Sequence, residues 1–164
     1  MSNQTFLNKT MSNKPNLKWN WFTFNQLSNQ QLEQMFALRQ QIFIVEQDCP
    51  YPDIDGKDSK AQHLLVWEGD VLIATLRVFE SYKEYDNKAS IGRICVAESA
   101  RKYGIGKELV QRAIDYVENE FDSKDIQIGA QFYLKKFYQG IGFRQISEIY
   151  DEDGIDHIHM LLQF

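Results

Sequence analysis

The spacing of hydrophobic and polar residues along the chain predicts a mixed α/β domain. From Trp19 to Leu27 aromatic and polar residues alternate, which is typical of a strand. Ser28 is predicted to cap a helix, because Gln31 stands three residues later and completes a capping box. A second helix is predicted from Gly104 to about Phe121, where apolar residues recur along one face.

Short apolar runs between polar turns predict six further strands and a third helix. The helix, Phe132–Gln139, precedes Gly140 and Gly142, which favour its termination. The segment Gln47–Lys60 holds two prolines, a glycine and four aspartates and predicts a loop. The element order β-α-β-β-β-α-β-α-β-β indicates a mixed sheet with helices packed on its faces. The six strands are predicted at His63–Trp67, Val71–Phe79, Ala89–Val96, Ile126–Gln131 and on either side of the turn Asp151–Gly154.

The length of 164 residues is enough for one domain that needs neither a metal nor a disulfide to fold. Residues 1–18 are rich in Asn, Ser, Thr and Lys and predict a disordered tail, so the domain is expected over residues 19–164. No segment has the apolar core of a signal peptide or the roughly 20 apolar residues that span a bilayer. With two cysteines, Cys49 and Cys95, we expect a cytoplasmic protein with reduced thiols, either a monomer or a homodimer.

The formal net charge of −5 and the pI near 5.2 argue against nucleic acid or an anionic membrane as a partner. The charge is distributed unevenly. Residues 46–58, the first acidic segment, carry five acids and one base. Residues 148–156, the second acidic segment, carry five acids and no base. Together the two segments carry −9, which leaves +4 for the rest of the chain.

A glycine-rich segment, residues 101–107, joins a predicted strand to a predicted helix. Backbone N–H groups and a helix N-terminus converge at such a junction and favour an anion. A Walker A loop would need Gly in place of Arg101 and Ser or Thr in place of Glu108. A dinucleotide-binding loop would need a third Gly in place of Leu109. Both kinds of nucleotide-binding loop are therefore excluded. Positive charge that suits a phosphate is nevertheless supplied by Arg101, Lys102 and Lys107.

The remaining pattern, Arg-x-x-Gly-x-Gly at residues 101–106, resembles the coenzyme A pyrophosphate loop of GNAT N-acetyltransferases. Residues 137–143 resemble the Phe-Tyr-x-x-x-Gly-Phe end of the same superfamily. Within it, the chain is similar to the ElaA family. The stretches that carry this narrower resemblance are Leu38-Arg39 with Phe43–Tyr51 and Asp53–Gly56, then Gly129–Gln131, and then Tyr150–Ile155 with His157-Ile158.

The resemblance implies the acyl-CoA N-acyltransferase fold, a twisted and mostly antiparallel sheet flanked by helices. It also implies an N-acetyltransferase that uses acetyl-CoA as co-substrate and acetylates a primary amine of a small molecule or a peptide. Gln131 stands where many members carry Asn, and either amide can donate to a pantetheine carbonyl. The implied cofactor-binding residues are Ile94, Cys95, Val96, Arg101, Lys102, Tyr103, Gly104, Ile105, Gly106, Lys107, Gln131 and Phe137.

Acetyl transfer requires a proton acceptor and a proton donor. A lysine-like amine, with a pKa of about 10.4, costs roughly 4–5 kcal/mol to deprotonate at pH 7, and a base can meet part of that cost. Glu46 and His157 are the candidate bases, against the alternatives of a solvated carboxylate and an ordinary strand histidine. His159 is predicted to share a face of the last strand with His157. By the resemblance, Tyr138 is the acid that protonates the leaving thiolate.

The acceptor side has several candidates. Arg39, Arg77 and Arg93 fall at inward positions, where each either pairs with a carboxylate or binds the acceptor. His63 belongs to the ElaA-like pattern and is a further candidate. By the layout of the family, both acidic segments are expected around the acceptor entrance, which predicts a cationic acceptor.

Other chemistries are disfavoured. Residues 53–56 hint at a calcium loop, but Tyr51 and Gln62 occupy ligand positions, so no metal is expected. Neither cysteine has the motif of a nucleophile. A CoA-binding module without activity, or transfer of another acyl group, remains open because a fold does not fix a function.

Overall fold

The computed structural model describes residues 16–164, which form an eight-stranded mixed sheet with helices on both faces. The strand order is β1-β2-β3-β4-β5-β8-β6, and β7 pairs with β8. The strands are β1 (Leu17–Thr23), β2 (Gln62–Glu68), β3 (Val71–Tyr82), β4 (Lys88–Val96), β5 (Asp125–Gln131), β6 (Arg144–Gln145), β7 (Tyr150–Glu152) and β8 (Ile155–Gln163). The helices are α1 (Asn29–Arg39), which a π-helix (Gln40–Glu46) continues, α2 (Ile105–Glu120) and α3 (Lys135–Gln139).

The predicted elements are present, although several bounds differ. β3 runs three residues beyond the predicted Phe79, and the predicted helix Phe132–Gln139 is α-helical only from Lys135, after a 3-10 turn. The first strand ends at Thr23, because Gln26 accepts from the Thr23 backbone N–H and closes a short 3-10 turn. β6 was not predicted, since two residues are too few to produce a periodic pattern. Most of the predicted tail lies outside the described residues, and its last two positions, Leu17 and Lys18, already belong to β1.

The predicted capping box at the start of α1 is confirmed, since Gln31 N donates to Ser28 Oγ at 3.2 Å and Ser28 N donates to Gln31 Oε1 at 2.9 Å.

Two hydrophobic clusters hold the helices to opposite faces of the sheet. α1 packs one face through Met35, which is fully buried in the smaller cluster with Leu65, Trp67 and Leu72 of the sheet. α2 packs the other face in the larger cluster, through Ile105, Leu109, Val110, Ala113, Ile114 and Val117.

Strands β4 and β5 diverge in the middle of the sheet. They are the parallel neighbours among the described strands, and within residues 16–164 they pair only at Ala89 and Ile126. β4 also bulges: Thr75 pairs with Cys95 and Arg77 with Gly92, so two residues of β4 oppose one of β3. At the bulge Arg93 has φ 51°, a left-handed conformation that is uncommon for a residue with a Cβ. The divergence opens a gap in the sheet.

Candidate active site

A cavity of about 510 Å³ occupies the gap between β4 and β5. It brings together residues from the π-helix, the two diverging strands, the start of α2, α3 and β8. The predicted site residues that line it are Glu46, Arg77, Arg93, Ile94, Cys95, Val96, Arg101, Gly106, Gln131, Phe137, Tyr138 and His157. The predicted site residues that do not line it are Arg39, His63, Lys102, Tyr103, Gly104, Ile105 and Lys107.

The start of α2 is open toward the cavity. Gly104 is the N-cap in a left-handed conformation (φ 71°), and no side chain caps the first backbone N–H groups of the helix. Free N–H groups at a helix N-terminus favour an anion. Ile105 points into the core and can offer only its backbone, whereas Gly106 lies on the cavity wall between Val96 and Phe137. Exposed positive charge around this turn comes from Lys102, which lies over the Tyr103 ring, and from Lys107. These features fit the pyrophosphate of coenzyme A.

Arg101 and Glu46, predicted to have different roles, form an ion pair. Arg101 Nη1 lies 2.7 Å from Glu46 Oε1, and Nη2 donates to Oε2 at 2.8 Å. Arg101 Nε also donates to the carbonyl of Val96 at 3.1 Å. Both side chains are exposed, at 43% and 35%, so the pair is open to exchange with a ligand. In this state both oxygens of the candidate base are engaged.

The residue after Glu46, Gln47, also contacts a predicted cofactor ligand, Gln131. Gln47 Nε2 and Gln131 Nε2 each donate to the other's amide oxygen, at 3.4 and 3.1 Å. The end of the π-helix therefore contacts two predicted cofactor ligands, Arg101 and Gln131, through consecutive residues. Gln47 was not singled out from the sequence, because its partner lies 84 positions away.

Tyr138 combines burial with access to the cavity. Its side chain lines the cavity, is only 6% exposed, and packs edge-on against Phe137 and Phe143. Burial raises the pKa of the Tyr138 hydroxyl well above its usual value, so the hydroxyl keeps its proton at neutral pH. Burial likewise raises the pKa of the Cys95 thiol to about 12, which disfavours a thiolate nucleophile.

His157 lines the cavity, and one of its ring nitrogens is engaged by the backbone. Its Nδ1 lies 2.8 Å from the carbonyl oxygen of Ile155, and because a carbonyl can only accept, Nδ1 carries the hydrogen. In the neutral ring Nε2 is then free to accept a proton. His157 lies opposite Gln131 in the β5–β8 register, and His159 lies opposite Gly129 on the same face, as predicted.

Arg39, the most buried of the three arginines, ties the loop that contains Asp53 and Asp58 to the end of α1. Arg39 is 1% exposed; its Nε donates to Asp53 Oδ2 at 2.9 Å and its Nη1 to Asp58 Oδ1 at 2.8 Å. His63, also 1% exposed, has Nε2 2.8 Å from the backbone carbonyl of Asp58. These contacts place Arg39 and His63 in the support of the loop, away from the cavity where an acceptor could reach them.

Arg77 and Arg93 line the cavity, but both form ion pairs with aspartates of the first acidic segment. Arg77 bonds Asp55 at 2.6 Å and Asp58 at 3.0 Å, and Arg93 Nε bonds Asp53 Oδ1 at 2.7 Å. Burial alone would raise the pKa of the Asp55 carboxyl, but the hydrogen bond and charge of Arg77 lower it well below its usual value. The first acidic segment borders the cavity, as expected, but its residues Asp53, Asp55 and Asp58 are paired with arginines and so add little net negative charge there.

Some residues of the cavity wall were missed by sequence reasoning. Tyr82 and Tyr85 line the cavity, although the segment that contains them looks like a polar loop. The two tyrosines were the available signal that this otherwise polar segment packs against the rest of the domain. Glu152 and Asp153 of the second acidic segment also line the cavity, as the expectation for that segment required.

A sheet that opens between two parallel strands, with a helix N-terminus at the opening, defines an acyl-CoA N-acyltransferase architecture. The family model described as an acetyltransferase (GNAT) domain matches residues 11–164. The chain therefore belongs to the GNAT acetyltransferase family, and the predicted fold is confirmed. Members of this family are acyltransferases that use acetyl-CoA or another acyl-CoA as co-substrate.

The narrower resemblance is also confirmed. Protein ElaA of Escherichia coli (strain K12) is 37% identical over 146 residues, which are 88% of this chain and 95% of ElaA. The crystal structure of E. coli ElaA matches with a TM-score of 0.83 at 35% identity, over 90% of this chain and 99% of that one. A crystal structure of an acyl-CoA N-acyltransferase from Pseudomonas aeruginosa has a TM-score of 0.83 at 32% identity, over 89% of this chain and 99% of that one.

Two further features concern metals and membranes. Within residues 16–164, no three His, Cys, Asp or Glu side chains are grouped as metal ligands. No helix in the same range is both long and apolar enough to cross a membrane.

Proposed function

We propose that this protein transfers the acetyl group of acetyl-CoA to a primary amine. The observation that carries the proposal is one cavity that joins the open N-terminus of α2, the diverging strands β4 and β5, and the buried Tyr138. The helix end suits a pyrophosphate, the gap between the strands suits an extended pantetheine arm, and a protonated tyrosine suits a leaving thiolate.

The proposed transfer is direct. Acetyl-CoA supplies an activated carbonyl carbon and a thiolate leaving group; the acceptor nitrogen bonds to that carbon and the carbon–sulfur bond breaks. His157 Nε2 takes the proton that the amine loses, and Tyr138 gives its proton to the sulfur. Backbone N–H groups of residues 94–96 stabilise the negative charge that develops on the carbonyl oxygen. Proton return from His157 to Tyr138 through solvent restores both groups.

Glu46 is assigned a different role from His157. Its carboxylate is held by Arg101, and a phosphate that takes Arg101 would release it. Gln131 exchanges its contact with Gln47 for a pantetheine carbonyl in the same way. The cofactor thus replaces contacts that the end of the π-helix makes in its absence.

Thermal unfolding with four ligands tests the cofactor. Acetyl-CoA and CoA are expected to raise Tm, because binding at 100 times Kd adds about 2.7 kcal/mol to the free energy of unfolding. ATP and NADH are expected to leave Tm unchanged. The absence of a shift with either CoA compound would contradict the proposal.

Thiol release from acetyl-CoA across a panel of amines tests the chemistry. Tyr138→Phe is expected to lower kcat by about 100-fold, the size of a general-acid contribution. Tyr116→Phe, on the face of α2 that stacks with Trp21, is the matched control and retains full activity. Normal turnover by Tyr138→Phe would refute the assigned acid. A Tm shift with CoA but no thiol release from any amine would instead support a CoA-binding module, and faster release from propionyl-CoA would indicate another acyl group.

A further inference from the structure

The cavity has an aromatic wall, formed by Tyr82 and Tyr85, that the proposed transfer does not use. Tyr82 and Tyr85 line it, with ring centroids 5.0 Å apart. The hydroxyl oxygens of Tyr85 and Tyr150 both lie over Gly129, where an added Cβ would come within 2.9 and 3.1 Å of them. Glycine at this position of β5 leaves the space that both hydroxyls fill.

Carboxylates without a cationic partner lie beside this wall. Glu152 and Asp153 line the same cavity, and none of the ion pairs in residues 16–164 includes an acid of the second acidic segment. Burial, followed by the charge of Glu152, raises the pKa of Tyr150 to about 12, so Tyr150 stays neutral next to that carboxylate. The wall therefore combines neutral rings with uncompensated negative charge.

The arginines of the cavity do not offset this charge. Arg77 and Arg93 are paired with aspartates of the first acidic segment, and Arg101 is paired with Glu46. Before CoA binds, a cation that enters the cavity thus finds its unpaired counter-charges at Glu152 and Asp153; CoA adds Glu46, at the opposite end of the cavity beside Arg101.

A ring of the wall already binds a cation from the chain itself. Lys57 Nζ lies 4.8 Å from the centroid of the Tyr82 ring and donates to its hydroxyl at 2.7 Å. Glu84 accepts from the same ammonium group at 2.6 Å. An aromatic face with a carboxylate beside it is the chemistry that recognises an alkylammonium ion. Tyr85 and Glu152, again a ring and a carboxylate, both line the cavity.

The aromatic wall and the glycine-rich segment, residues 101–107, lie toward opposite ends of β4. Tyr82 pairs with Lys88 at its start, and Val96 at its end lies about 26 Å further along the strand. Along β5, Gly129 is two residues, about 7 Å, from Gln131, the proposed pantetheine contact. The reacting amine must be neutral near the thioester, whereas the wall suits a charged group. One amine cannot meet both conditions at once.

We infer that the acceptor carries a second amine, which Tyr85 and Glu152 hold as an ammonium ion while the first amine reacts. The substrate class is a small diamine or polyamine with a few methylenes between its nitrogens. This inference rests on the proposed function, because acetyl-CoA must occupy the rest of the cavity.

Kinetics with a matched pair of acceptors, diaminobutane and aminobutanol, test the second charge. The wild-type kcat/KM is expected to be about tenfold higher for the diamine, equivalent to about 1.4 kcal/mol. Glu152→Gln is expected to bring this ratio close to one without changing KM for acetyl-CoA. Glu118→Gln, an exposed charge on α2, keeps the ratio. Tyr85→Phe also keeps it and Tyr85→Leu loses it, because the ring provides the contact. A wild-type ratio near one, or a full ratio in Glu152→Gln, would overturn the inference.

Calorimetric titration of diaminobutane into the CoA-saturated protein separates the inference from the transfer reaction. Binding that weakens about tenfold in Glu152→Gln supports the aromatic wall even if no amine is acetylated, and that combination contradicts the proposed function alone. Intact CoA binding with no diamine binding overturns the inference.

Discussion

The two acidic segments border the same cavity, yet their charge is balanced differently. In the first segment, Asp53 and Asp58 are at most 8% exposed and bond to arginines at 2.7–3.0 Å. In the second, Glu152 and Asp153 are exposed and form no ion pair within the described residues. The first segment is therefore part of what holds the molecule together, and the second keeps its charge for a ligand.

Burial explains why removing a carboxylate from the first segment is expected to cost more stability than removing one from the second. Removing one partner of a buried ion pair leaves an uncompensated charge and costs about 3–5 kcal/mol. An exposed charge is solvated in any case, so its removal changes stability little. The predictions below use this contrast, beginning with the largest expected effect.

Asp58→Asn is expected to lower the free energy of unfolding by about 3 kcal/mol, because Arg39 and Arg77 lose their shared carboxylate. The equivalent change in the second segment, Glu152→Gln, is expected to alter it by less than about 0.5 kcal/mol. Urea unfolding of the three proteins measures both values. Equal losses in the two variants would contradict the contrast between the segments.

Acid is expected to destabilise the protein through the first segment. Burial raises the pKa of Asp55 and Asp58, but hydrogen bonds and charge from Arg77 and Arg39 outweigh it and lower both pKa values. A carboxyl whose pKa is lower when folded stabilises the fold above its unfolded pKa of about 3.9, and this contribution is lost as pH falls below that value. Urea midpoints between about pH 7 and pH 3 are expected to fall steeply below pH 4.

Asp55→Asn should make that fall shallower, because one of the titrating carboxyls is gone. Asp151→Asn, in the exposed second segment, should leave the slope as in the wild type. Identical pH profiles for Asp55→Asn and the wild type would show that the pairing with Arg77 does not control acid stability.

Arg101→Gln is expected to weaken CoA binding about tenfold, since a charged hydrogen bond to a phosphate is worth about 1.5–3 kcal/mol. Calorimetry gives Kd directly. Arg112→Gln, which removes an exposed arginine further along α2, is the control and should leave Kd unchanged. Equal affinities of the Arg101 and Arg112 variants would remove Arg101 from the phosphate site.

The smallest expected effect is that of Glu46→Gln on the same equilibrium. The Glu46–Arg101 pair is exposed and worth at most about 1 kcal/mol, so its loss should tighten CoA binding by up to about fivefold. Weaker CoA binding in this variant would mean that Glu46 assists the cofactor and does not compete with it.

Local signals predicted the fold well. The capping box at Ser28 and the apolar face of α2 depend on residues close in sequence, and both are found in the structure. The strand-to-helix junction at residues 101–107 was also recognisable, because its glycines are close together in sequence, and its phosphate-binding role stays a prediction. The pairing of Glu46 with Arg101 joins residues 55 positions apart, and no local pattern encodes such a contact.

The acidic segments also show that the sequence does not reveal contacts between distant residues. Composition counts charges but does not tell which of them face an arginine. The sequence allowed Arg39 either a carboxylate partner or an acceptor, and burial among Asp53 and Asp58 decided for the carboxylates. Tyr82 and Tyr85 gained significance only when the structure placed them in the lining of the same cavity as Glu152.

The π-helix after α1 has a consequence for how this protein can change. Its wider turn is visible where Gln47 N bonds the carbonyl of Ile42, five residues back, at 3.2 Å. Loss of one residue from 40–46 would allow an ordinary α-helix and rotate the following side chains by about 100°. Glu46 and Gln47 would then turn away from Arg101 and Gln131. A single-codon deletion would thus free Arg101 and Gln131 in one step, whereas substitutions would have to remove the two contacts separately.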